Sequence, residues 1–96
     1  MTASAHNSST ALDLDVEEAW ALHAALLSAI EDAVQDGDDP ETAVSLLERL
    51  EDGDDFDSEE LECLVETLRD YVEHRAPSRD RGPARNVISD IQTALA

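Results

Sequence analysis

Cys63 lines up with Glu59, Glu66, Asp70 and His74 at steps of three and four residues. On a helix that spacing makes one row of thiol, carboxylate and imidazole, a set of donors able to bind a divalent cation. Structural zinc sites, however, usually draw their four ligands from two or more chain elements, with closely paired Cys or His. A single helix seldom closes such a shell. The competing readings are a solvated acidic face and a small residue at a subunit contact, and we expect no metal. His23 is the other candidate base. It falls on an apolar helical stripe one turn from Trp20, where no Cys, Asp or Glu of the same face can partner it. The reading is a core histidine bonded to a neighbour.

Two nearly identical phrases, QDGDDPE at 35–41 and EDGDDFD at 51–57, crowd aspartates around a glycine and raise calcium binding. An EF-hand loop needs oxygen ligands at positions 1, 3 and 5, Gly at 6 and Glu at 12. Counting from Asp52 puts Phe56 at position 5, Asp57 at 6 and Cys63 at 12; from Asp36, Pro40 falls at 5 and Leu47 at 12. Counting from Asp55 supplies Asp57, Glu59 and Glu66, but Glu60 replaces the glycine. Neither phrase is a calcium loop. Both read as helix punctuation. Gly37 and Gly53 suit the left-handed residue just past a helix end. Asp39 reads as an N-cap before Pro40 in the first helical position, and Asp57 with Glu60 as an acidic capping box.

The third candidate is cationic. Arg69, Arg75, Arg79, Arg81 and Arg85, five of the six arginines, lie within residues 69–85 beside three acids, for a local charge of +2, whereas the rest of the chain carries −20. Arg75, Arg79, Arg81 and Arg85 could hold a phosphate, nucleotide or RNA near a helix start. The leading reading is that they pair with the chain's own acidic helices or a twin subunit's, followed by an acidic protein partner. Nucleic acid is disfavoured, because phosphate attraction falls steeply with salt and only Tyr71 in the segment could stack on a base. No G-x-S-x-G, P-loop, dinucleotide fingerprint or Ser/His/Asp arrangement with recognisable context is present. We expect a protein that is not an enzyme, with no catalytic residue and no cofactor. An enzymatic reading would need Cys63 and His74 to share a pocket with groups from another helix.

The setting for these residues is unusual. The 96 residues hold 24 Asp and Glu against 6 basic residues, a formal net charge of −18, and every basic residue is arginine. Hydrophobic residues still make up 42% and recur with clear period, unlike those of a disordered acidic tail. Acid in excess, no lysine, and alanine, valine and threonine favoured over aromatics resemble the cytosolic proteins of extremely halophilic archaea. That compositional resemblance implies a cell interior at molar salt, where carboxylates keep the surface hydrated and arginine is the tolerated cation. The screening length is about 3 Å at ~1 M salt, so self-repulsion would be largely removed. MTASAHNSSTA has neither a basic start nor an apolar run, and so is not a signal peptide. The longest uncharged stretch, 19–30, is too short to span a membrane. A lone cysteine fits a reducing compartment. The expected location is the cytoplasm, without membrane contact.

The elements that must position the candidates follow from periodicity. Residues 1–10 read as disordered and 11–96 as one helical domain. Leu12, Leu14 and Val16 alternate, a short extended signature with no second strand visible: an arm packed on the helices, or a strand pairing with its copy in a dimer. From Asp15 the period is helical. Val16, Trp20, His23, Leu27, Ile30 and Val34 form one stripe, and Ala19, Leu22, Leu26, Ala29 and Ala33 widen it to about half the circumference, more than one neighbour covers. A second helix spans about 40–52 and a third about 58–75, stopped by Pro77. After the loop APSRDRG, Pro83 opens a fourth, with Val87, Ile88, Ile91 and Leu95 on its apolar face. The fold expected is all-α, a small four-helix antiparallel bundle with a short N-terminal extended arm or strand. The excess apolar surface of the first helix points to a homodimer, with Trp20, His23, Leu26, Leu27 and Ile30 as contacts. The function expected is a salt-adapted, non-enzymatic interaction or regulatory module; the alternative is an anion, nucleotide or RNA binder using 75–85.

Overall fold

The computed structural model describes residues 10–96. Four helices follow one another: α1 (Val16–Asp36), α2 (Glu41–Asp52), α3 (Ser58–His74) and α4 (Ser78–Leu95). Local chemistry sets most of their ends. Asp15 and Glu18 close a capping box at the start of α1, with bonds of 2.8 and 3.1 Å. Asp57 and Glu60 repeat it at α3, at 2.8 and 2.9 Å. Each box satisfies backbone N–H groups that the first turn would otherwise leave without a partner.

The repeated acidic phrases are the same stop made twice. Gly37 and Gly53 take φ of 77° and 73°, a region that costs a side-chain-bearing residue strain. Behind Gly37, the Asp38 N–H reaches Ala33 O at 2.8 Å; behind Gly53, the Asp54 N–H reaches Arg49 O at 2.9 Å. Together with the glycine N–H bonds to Val34 O and Leu50 O, these are two Schellman caps. α2 begins one residue later than the spacing predicts, at Glu41 with Pro40 as its cap. Asp39 still accepts the Glu41 N–H at 2.9 Å.

α1 is the hub, since it packs against each of the other three helices, while α3 and α4 also pack on one another. The core is built from Leu22 and Leu26 of α1, Leu46 of α2, Leu61, Leu64 and Leu68 of α3, and Val87 and Ile91 of α4. The result is an all-α four-helix bundle with no regular strand among the described residues. Among the described residues no helix is long and apolar enough to cross a membrane.

One expectation needs correction, and one open alternative is decided. The fourth helix does not open at Pro83. It opens at Ser78, directly after an extended Pro77, and Pro83 lies inside its second turn. There the missing N–H forfeits one bond, that to the Arg79 carbonyl. Ties to α3 and to the connection after it hold the early turn in place: the Tyr71 hydroxyl of α3 donates to Asp80 at 2.7 Å, and Arg81 Nε donates to Ala76 O in the connection at 3.3 Å. The extended arm also has a partner within the chain. Thr10 and Phe56 exchange backbone bonds of 2.8 and 3.0 Å, an isolated antiparallel bridge, and Leu12 and Leu14 pack on the core. Phe56, in the α2–α3 connection, is only 2% exposed. The expectation of disorder over 1–10 falls, Thr10 apart, outside the described residues.

Candidate functional site

The arginines separate once the segment is helical. At about 100° per residue, Arg79 points away from Arg81 and Arg85, which stay one turn apart on a shared face. Arg75, just past α3, pairs instead with Asp32 on α1. Arg79 Nε lies 3.9 Å from Asp80, and Arg81 is engaged with the Ala76 carbonyl. Arg69 and Arg85 are exposed, with no carboxylate within ion-pair distance among the described residues. Of the three arginines on α4, only Arg81 and Arg85 thus share a helix face. The sixth arginine, Arg49, ties α2 to α3: its Nε is 3.0 Å from Glu60 and its Nη1 donates to Asp55 O at 2.8 Å.

Cys63 is half-buried beside an open cleft of about 350 Å³ between the starts of α2 and α3, lined also by Asp39, Glu41, Thr42, Ser45, Glu59 and Glu60. Burial raises its thiol pKa, and the nearby carboxylates of Glu66, Glu59, Glu62 and Asp57 push it up further. A thiol so placed is a poor nucleophile and a poor metal ligand at neutral pH. His74 is exposed and bonded to Asp70 at 3.0 Å. It lies three helical turns from Cys63, about 16 Å at 1.5 Å per residue, so the two share no pocket. No group of three or more His, Cys, Asp or Glu able to hold a metal ion occurs among the described residues.

The largest departure from expectation is on α1. Its core-facing residues are Ala21, Leu22, Ala25 and Leu26. The stripe named first in the sequence faces outward: Val16 is 71% exposed, Trp20 66%, Leu27 43% and Val34 62%. Leu26 is therefore not a contact residue. It is fully buried in the bundle's own core. Of the other proposed contacts, Trp20 and Leu27 are exposed, and His23 and Ile30 are half-buried at the edge of the face.

The N-terminal half of this face forms a shallow groove of about 330 Å³, lined by Val16, Ala19, Trp20 and His23 and bordered by Leu50 and Glu51 of α2. Trp20 and His23 meet edge to face, with ring centroids 5.6 Å apart. His23 Nε2 lies 3.3 Å from Glu51 Oε2. This partner was invisible on the helix itself, since it arrives only when the end of α2 folds back along α1. Leu50 enters the groove the same way. Val16 and Val34 belonged to the stripe but not to the proposed contacts, although they are among its most exposed members.

Fold and surface together define a small all-α bundle whose described residues leave an apolar face of α1 open to solvent, on a chain of net charge −18. The chain belongs to a family of unknown function, DUF7853, whose model matches residues 12–92 and so takes in the arm and nearly all of the four helices. No curated protein and no solved structure matches the chain.

Proposed function

We propose that this protein is a non-enzymatic interaction module of a salt-rich cytoplasm, assembled as a homodimer through the outer face of α1. One observation carries the reading: an uncharged stripe with Trp20 at 66% exposure and Val16 at 71% on a chain of net charge −18. Scattered surface apolar residues are ordinary, whereas a contiguous apolar face signals a partner. Exposed tryptophan is costly to keep solvated and is among the residues that dominate binding energy when buried. The acidic remainder fits the same reading, since it keeps the molecule soluble and confines association to the one uncharged face.

Size exclusion with light scattering tests this in ~2 M KCl and in dilute buffer, conditions that span strong and weak screening. A dimer in high salt is the expected result. A monomer at every salt and protein concentration would overturn homodimerisation.

A further inference from the structure

The exposed stripe of α1 carries a register. Val16, Trp20, His23, Leu27, Ile30 and Val34 follow one another at steps of four, three, four, three and four residues. That alternation is the a/d seam of a coiled coil, the pattern by which one helix packs knobs-into-holes on another. A bundle helix facing only its own core does not need it here. α1 buries Ala21, Leu22, Ala25 and Leu26 on another face, and among the described residues Val16, Trp20, Leu27 and Val34 of the seam stay exposed.

The seam is also symmetric about the level of Ala25. Val16 and Val34 lie nine residues either side of it, Trp20 and Ile30 five, His23 and Leu27 two. We propose that α1 pairs antiparallel with α1 of a second copy around a two-fold axis at that level. The layers of that dimer are Val16 on the second copy's Val34, Trp20 on its Ile30, and His23 on its Leu27. Each a residue then meets a d residue, as antiparallel helix pairs require. The same patch serves both copies, the isologous contact of a closed dimer. A parallel pairing would instead stack Trp20 on Trp20 and set two His23 rings face to face, and it would align the helix dipoles unfavourably.

Charge at the seam's margin makes the contact depend on salt. Glu17 and Glu31 occupy the heptad positions along one edge, and both are exposed. Antiparallel pairing brings Glu17 of one copy beside Glu31 of the other at both ends of the interface. Their repulsion reaches about 10 Å at 0.1 M salt but only about 3 Å at 1 M. Association therefore strengthens as salt rises, the reverse of a contact held by ion pairs. A second copy is the occupant favoured, because an equally acidic partner is excluded from every face except this uncharged one.

The inference rests on self-association through α1, and crosslinking separates the two claims. In a Cys63→Ser background, Val16→Cys and Val34→Cys are made singly. Both sites are well exposed, so folding is preserved. They lie 18 residues apart, about 27 Å along the helix. Each protein alone and an equal mixture are treated in ~2 M KCl with a short thiol-reactive bis-maleimide linker, and light scattering is read on the same samples. The expected result is covalent dimer almost wholly of the mixed Val16→Cys/Val34→Cys species, falling away in dilute buffer. Dimers by scattering that crosslink Val16→Cys to itself and Val34→Cys to itself would overturn the antiparallel register while sparing self-association. Dimers with no crosslink of any kind would place the contact away from α1 and overturn the register as well. Monomers throughout would overturn both claims.

Discussion

The Tyr71 hydroxyl donates to Asp80 Oδ2 at 2.7 Å, joining the last turn of α3 to the first turn of α4. This bond helps α4 begin at Ser78 in spite of Pro83, and it governs how the only tyrosine titrates. Burial, the hydrogen bond and the Asp80 charge together push the Tyr71 pKa up to about 12 from the ordinary 10. Between those values the unfolded chain has lost the phenolic proton that the folded chain still holds. Stability is thus fully present below pH ~10 and is lost as pH rises toward 12.

Absorbance of the tyrosinate near 295 nm, a signal of this residue alone, should therefore appear close to pH 12 in the folded protein and near pH ~10 in denaturant. Tyr71→Phe should remove this alkaline loss and lower stability at neutral pH by about 1 kcal/mol. The size is modest because water can reach part of the Asp80 carboxylate. An unchanged titration on denaturation would rule out the bond.

Leu26 and Leu27 are sequence neighbours with opposite roles. Leu26→Ala opens a cavity in the bundle and should cost about 2–5 kcal/mol in chemical denaturation. Leu27→Ala trims a side chain that is 43% exposed and should cost about 1 kcal/mol or less. Its effect should appear in association, as a weaker dimer at high salt. The two variants exchange their phenotypes if the outward stripe is in truth the core stripe.

Glycine substitutions should also diverge. At Gly53, φ of 73° penalises a side chain although space is open, so Gly53→Ala should destabilise by about 1 kcal/mol. Gly82 lies within α4, has no positive φ, and would place a Cβ in open space. Gly82→Ala should gain less than the ~1 kcal/mol of helix propensity, because Pro83 disfavours helical backbone in a preceding residue that bears a Cβ. Thermal melts at one fixed high salt concentration decide both.

Much of the bundle was legible because its punctuation is local. The stops at Gly37 and Gly53, the acidic box of Asp57 and Glu60, and the ends of α2 and α3 to within a residue depend on groups three to five positions apart. Such groups meet whatever the remainder of the chain does. Pro77 and Pro83 mark the limit of that reasoning, because each can open a helix by the same local rule. The choice fell to Tyr71, which reaches from α3 to hold Asp80.

Periodicity in α1 determined which residues share a face, and not which of two adjacent apolar arcs is covered. Leu22 and Leu26 pack inward together with Ala21 and Ala25, and Val16, Trp20 and Val34 are left outside. The bridge between Thr10 and Phe56, the pairing of His23 with Glu51 and that of Arg75 with Asp32 join residues 28 or more positions apart. No spacing rule along one chain element can encode them, since each exists only after separate helices have packed. What the sequence by itself determined are the helices, their stops and the acidic surface. Which apolar face stays open to a partner was decided by tertiary packing alone, because burial is a property of what lies opposite a residue.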